Sequence, residues 1–184
     1  MERLDIDNIL KMSELNNELE YEKAVSIYGR LRWMIKEDSS LLMIKEHLKT
    51  LIKDYEEKYW NDESLIDDKR VKDSDLAERI ISRESEFIEN RKKLIKEKLK
   101  EAGLTQHNLA EILGHRPNYM SELINGVRPF SRDDIVVIHR LFGIELKYLI
   151  PPFIKAEVVN HIKHTLKELK LKKPKIKLKD LETV

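Results

Sequence analysis

The sequence predicts an all-α protein, and three observations carry that prediction. Among 184 residues there are only 5 Gly and 5 Pro, while 38% are charged, a composition poor in turns and rich in helix formers. Apolar residues recur every three to four positions through most of the chain, the period of a helix with one buried face. The breaks between these runs fall at Gly, Pro, Ser, Thr and Asp, the residues that start and stop helices. A hydrophobic content of 41% suffices for a real core, and the length allows one large or two small domains.

Residues 16–60 read as two long amphipathic helices. Leu19, Ala24, Ile27, Leu31 and Met34 or Ile35 form the stripe of the first, which ends near Asp38. Ser39 and Ser40 offer a cap, and Leu41, Ile44, Leu48, Leu51, Ile52, Tyr55 and Tyr59 line the second. Helices joined this tightly pack antiparallel, but a hairpin of this size buries too little surface to stand alone. It is expected to lean on another element or another chain, with Trp33, Tyr59 and Trp60 as candidate anchors. The following stretch, residues 61–75, is acidic and poor in apolar residues and reads as a linker. From Ser74 or Asp75 a helix with Leu76, Ile80, Ile81, Phe87 and Ile88 leads toward a second stripe of Leu94, Ile95, Leu99 and Ala102. R-K-K-L-I-K-E-K-L-K at 91–100 reads first as the solvated face of this lead-in, with Arg91 and Lys92 as candidates for extra phosphate contacts.

Residues 104–150 carry the most specific signals. Thr105 is an N-cap candidate for a helix with Leu109, Ala110, Ile112 and Leu113 on its apolar side, and Gly114 ends it. Pro117 suits the first turn of the next helix, which turns Met120, Leu123 and Ile124 inward and stops at Asn125-Gly126. Ser131 and Asp134 start a third helix with Ile135, Ile138, Leu141 and Phe142 as its buried stripe, ended by Gly143. Two short helices around one glycine turn, supported on both sides, are what a helix-turn-helix requires. On the second of them Arg116, Asn118, Tyr119 and Glu122 are expected to face outward. Arg pairs with guanine, Asn with adenine, and an aromatic edge packs on a thymine methyl. Gln106, at the start of the preceding helix, and Arg128 and Arg132, around the following turn, are placed for phosphates. Glu122 runs against the pattern, because a carboxylate repels phosphate unless it accepts from a cytosine amine.

Pro151-Pro152 closes this domain, and Ile154, Val158, Ile162, Leu166 and Leu169 then predict a further helix. The segment at 172–184 reads first as a disordered basic tail, with a DNA-contacting arm and a partner-folding segment behind it; K-I-K-L-K-D-L alternates like an edge strand. The expected organisation is therefore a helical module at 1–60, an acidic linker at 61–75, a helix-turn-helix domain with its lead-in helix at 76–152, and a basic extension at 153–184. Charge divides along the same line. Residues 1–60 carry 10 Lys/Arg against 13 Asp/Glu, and 61–89 carry 5 against 10, while 90–152 carry 11 against 7 and 153–184 carry 9 against 4. A basic half containing the reader is the electrostatic footprint of a phosphate-binding surface. The acidic half hints at a basic partner.

The run L-T-Q-x-x-L-A-x-x-L-G at 104–114, followed by M-S-E-L-I-N-G-V-R at 120–128, resembles the Cro/cI-type, or XRE-family, helix-turn-helix. The resemblance covers about residues 90–150. It implies a five-helix domain that binds palindromic operator DNA as a homodimer, with positions 116–119 and 122 reading bases and Gln106 at a frequent phosphate or base contact. Pro117 and Glu122 depart from the usual Ser, Thr, Arg and Lys. The front module, N-E-x-E-Y-E-K-A at 17–24 closing on D-Y-E-E-K-Y-W at 54–60, resembles the N-terminal part of HigA-type antitoxins, in which such a segment precedes a Cro/cI-type domain. That resemblance implies an antitoxin that silences a HigB-like, mRNA-cleaving toxin and represses its own operon. The competing readings are a stand-alone regulator whose front module dimerises or senses a ligand, and a helical ribonuclease-like toxin using Arg132 and His139.

No cysteine is present, which excludes disulfides and cysteine-ligated zinc and fits a reducing cytoplasm. His161 and His164 lie three apart on one helical face without an evident third ligand. No phosphate loop or nucleophile elbow appears, so a non-enzyme without metal or cofactor is expected. The start MERLDIDNIL lacks a basic-then-apolar leader and no apolar run reaches membrane-spanning length; a soluble, cytoplasmic protein is expected.

Overall fold

The computed structural model describes residues 6–36, 38–62, 64, 66–154 and 156–169. Among these residues eight α-helices follow one another: α1 (Glu18–Met34), α2 (Leu42–Tyr59), α3 (Asp68–Glu101), α4 (Gln106–Leu113), α5 (Pro117–Ile124), α6 (Arg132–Phe142), α7 (Leu146–Leu149) and α8 (Ala156–Glu168). No strand occurs among the described residues. The chain divides into two compact units, Met1–Ile150 and Pro151–Val184.

The predicted hairpin is α1 and α2. Asn17 caps α1, accepting from the Glu20 N–H at 2.9 Å, and the side chain of Asp38 closes the turn between the two helices. Their stripes meet as expected: Ala24, Ile27, Leu31 and Met34 pack with Leu48, Leu51 and Tyr55. The element on which the hairpin leans is α3, against which α1 lies lengthwise. The segment ahead of α1 adds Ile6, Ile9, Met12 and Leu15 to the same core, and His47 Nε2 donates to the Met12 carbonyl to hold it. Trp60 and Tyr59 pack on this core, whereas Trp33 stands 70% exposed.

The linker is shorter than expected. Asp67 caps α3 by accepting from the Arg70 N–H at 2.7 Å, so residues 68–75 are helical rather than linking. With no Gly or Pro from 68 to 101 to interrupt it, α3 runs for 34 residues, about 50 Å. Its first half buries Ala77 and Ile81, and its second half serves the reader through Ile95 and Leu99. Between them the stripe turns polar, at Ser85 and Arg91. Arg70 also ties the start of α3 to the hairpin. It reaches the buried Glu18, which accepts from Tyr55 as well, and lies over the Tyr59 ring.

The reader is a five-helix arrangement of the end of α3 with α4 to α7, around Leu109, Met120, Leu123, Ile124, Ile138 and Leu149. Its local signals act where they were read. Thr105 with Asn108 and Ser131 with Asp134 form capping boxes, Pro117 opens α5, and Gly114 and Gly143 end α4 and α6 in the left-handed conformation. Three apolar positions differ: Ala102, Ile112 and Leu141 face solvent. In the second unit α8 covers most of the predicted helix, and residues 172–184, with the candidate edge strand, lie outside the described residues.

Gly126 joins the two halves of the first unit. Its φ of +69° favours glycine, and a Cβ there would lie 2.5 Å from Ile88 Cγ2 on α3. Gly126→Ala should therefore cost more than the roughly 1–2 kcal/mol of a left-handed alanine alone. Adding Ile88→Ala should remove the clash part, so that urea unfolding of the two single variants and the double shows non-additivity. Additive losses would mean that the turn does not approach α3 this closely.

Candidate nucleic-acid interface

The helix-turn-helix is α4, the Gly114 turn and α5. Met120, Leu123 and Ile124 anchor α5 inward, which sets the exposed face of its N-terminal turn. Arg116 and Asn118 stand in solvent on that turn. Gln106, the first residue of α4, lies beside Asn118: with Pro117, Asn118 and Ser121 it lines one hollow, which Met34 and Asp38 of the hairpin close on the far side. Arg132, the first residue of α6, has a 90% exposed side chain whose Nε donates to its neighbour Asp133 at 3.2 Å.

Tyr119 is more constrained. Its ring meets His115 edge-on at 5.1 Å between centroids and lies 5.4 Å beneath the Arg128 guanidinium, leaving an exposed edge. His115, which the sequence analysis did not single out, donates from Nε2 to Asp134 at 2.9 Å. Asp134 is also half of the α6 capping box, so this one carboxylate fixes the turn before α5 to the start of α6.

Glu122 and Arg128 do not sit as expected. Glu122 is 8% exposed and faces inward, and its carboxylate accepts from Arg128 Nε. Arg128 Nη1 also donates to Asp7, from the segment ahead of α1. Against the lowering effect of burial, these two carboxylates hold the guanidinium above its ordinary pKa, and hydrogen bonding to Arg128 draws Asp7 below its own. The pair is thus a clamp between the hairpin segment and the end of α5, and the repulsion anticipated for Glu122 is cancelled by an internal cation. Arg91 is likewise withdrawn from any phosphate. It is 6% exposed, donates to the Leu149 carbonyl at 3.3 Å and lies over the Phe130 and Phe87 rings. Burial, with Arg30 nearby, brings its pKa down to about 10, so it remains charged at neutral pH.

The remaining candidates sit apart. His139 donates from Nδ1 to the Ile144 carbonyl at 2.7 Å, closing the end of α6. Arg132 lies two turns away, about 10 Å along the helix axis. His164 on α8 faces Glu168 at 3.4 Å.

The geometry defines a helix-turn-helix domain, and a family comparison agrees: residues 95–149 match the model of the helix-turn-helix family. The match suggests a DNA-binding regulator of the XRE type, and it extends over the reader alone, leaving the hairpin and α8 outside. No curated protein and no solved structure matches the chain. Among the described residues no helix is long and apolar enough to cross a membrane.

The clamp carries its own test. Arg128→Ala leaves Glu122 buried without its cation and should cost about 3 kcal/mol in urea unfolding. Replacing both, Arg128→Met with Glu122→Leu, should recover most of that loss. An Arg128→Ala protein as stable as the wild type would show that the clamp is not formed in solution.

Proposed function

We propose that the chain is a sequence-specific DNA-binding regulator that reads duplex DNA with the N-terminal turn of α5. The observation that carries this reading is the pairing of a buried anchor with an exposed reading edge on one short helix. Met120, Leu123 and Ile124 hold α5 down, the His115–Asp134 contact fixes its entry, and Arg116 and Asn118 project freely. Gln106 and Arg132 flank that edge as phosphate donors, and Tyr119 offers a rigid aromatic edge. Glu122 and Arg128 are assigned to orienting α5 rather than to the DNA. Binding as a dimer is part of the proposal, in keeping with the palindromic operators of XRE-type domains. Val137 and Leu141 on α6, with Leu146 and Tyr148 on α7, leave an apolar face of the reader exposed. No catalytic step is assigned to the chain.

Asn118→Ala should weaken binding to the preferred duplex by about 1–3 kcal/mol and relax base choice at one position. Arg132→Ala should instead weaken all sequences alike and lower the salt slope by about one. The checking measurement is fluorescence anisotropy on a duplex selected by the protein from a random library, against an unselected one. Unchanged base preference in Asn118→Ala would show that another surface does the reading.

The finer reading within this proposal is an antitoxin of the HigA type, cytoplasmic, which holds a HigB-like toxin and represses its own operon. It is supported by the order of the modules and the likeness of residues 16–60. Leu42 and Met43, exposed at the start of α2, give the hairpin an apolar surface for a protein partner. Co-expression with the product of an adjacent short gene should then yield a stable complex on size exclusion, and growth arrest by that product alone should be relieved. A folded neighbour that neither binds nor arrests growth would leave the DNA-binding regulator standing and remove the antitoxin.

A further inference from the structure

Beside the reading edge the first unit holds a second hollow, of about 520 Å³, between α1, α3 and the reader. It shares Met34, Gln106 and Ser121 with the hollow at Asn118, so the two form one continuous trough. The trough begins at Pro117 and Asn118 and ends among Arg30 of α1 and Lys92 and Lys96 of α3. Trp33 stands on its α1 wall, mostly in solvent. The inner end is cationic. Glu89 is its one carboxylate and faces Lys92 at 3.4 Å, while Lys96 has no carboxylate partner among the described residues. Arg30 spends two donors on the Gly126 carbonyl and Ser85 Oγ at 2.9 and 3.1 Å and has no ion pair among them either.

A cationic trough suits phosphate, and its starting point decides whose phosphate. A helix with its side chains is about 10–12 Å across and the major groove about 12 Å wide, so a reading helix fills the groove and its flanks meet the backbones. The flank of α5 that carries Ser121, with Gln106 beside it, is where the trough runs. We propose that the trough takes the sugar–phosphate backbone of one DNA strand, and that α1, outside the helix-turn-helix domain, forms its far wall. This rests on the DNA-reading function above. The hairpin is then a second jaw of the DNA interface, with Trp33 against the sugars and Lys92 and Lys96 on consecutive phosphates. Asp38, at the mouth beside Asn118, opposes the backbone and moderates affinity.

The test uses the full chain and the same selected and unselected duplexes. Lys92→Ala with Lys96→Ala should lower the salt slope by about two on both duplexes and leave base preference intact. Asp38→Asn should tighten binding to both. With Trp60→Phe as background, Trp33 emission should change on adding duplex and stay unchanged with inorganic phosphate at equal ionic strength. Tight, selective binding with an unaltered slope and silent Trp33 would overturn the trough while leaving the reading helix intact. A lowered slope with silent Trp33 would confine the contact to α3 and overturn the second jaw. A response to inorganic phosphate equal to that with duplex would make the trough a small-anion site instead. Absence of binding to any duplex by the wild type would overturn the DNA-reading function itself.

Discussion

The turn that follows α5 is the point on which the first unit depends. A helix of eight residues such as α5 cannot fix its own direction, because its few intrahelical bonds leave both ends open. Here the C-terminal end is fixed from outside. Gly126 presses on Ile88 of α3, its carbonyl accepts from Arg30 of α1, and Val127 enters the hairpin core. Arg128 then holds Glu122 on one side and Asp7 on the other. The hairpin therefore does more than accompany the helix-turn-helix: it holds the C-terminal end of α5.

This dependence explains what the sequence shows plainly and what it conceals. Caps, the left-handed glycines and Pro117 are legible because each is decided by backbone conformation within a few residues. The same holds for the apolar stripes, and hence for the all-α class and the five-helix reader. The burial of Glu122 was not legible, since its neutralising network reaches Asp7 through Arg128, 121 positions away. Arg91 misled for a related reason. A charged residue on a helical stripe reads as solvated surface, yet it sits in register with Ile95 and Leu99 and takes two phenylalanine rings and a carbonyl as partners. The signal that was available is that spacing, in which 77, 81, 85, 88, 91, 95 and 99 form one unbroken stripe. The linker error has the same root: an acidic, polar run says little against helix where a cap and an unbroken series of helix formers say much for it.

With the hairpin and reader sharing α3, events on one bear on the other without a separate messenger. A ligand or protein that shifts α1 along α3 must disturb the contact between Arg30 and Gly126, and with it the end of α5. Coupling between two sites needs a physical element that both of them bias, and the turn after α5 is the element in contact with both halves. Linkage makes the effect reciprocal: whatever a partner on the hairpin does to DNA binding, DNA does equally to the partner.

The acidic character of the front segments is a poor guide to the field that DNA would meet. Charge counted along the chain treats every carboxylate as exposed, whereas several are consumed internally. Glu18 is buried with Tyr55 and Arg70, Asp7 is held by Arg128, and Asp67 caps α3. What α1 presents toward the reader is Ser26, Gly29, Arg30, Trp33 and Met34, a face with one cation and no carboxylate. Asp38, at the tip of the hairpin, lines the hollow at Asn118. A segment of negative net charge can thus stand beside the proposed phosphate-binding edge, because the field at an interface is set by the few side chains that line it and is screened within about 8–10 Å from the rest.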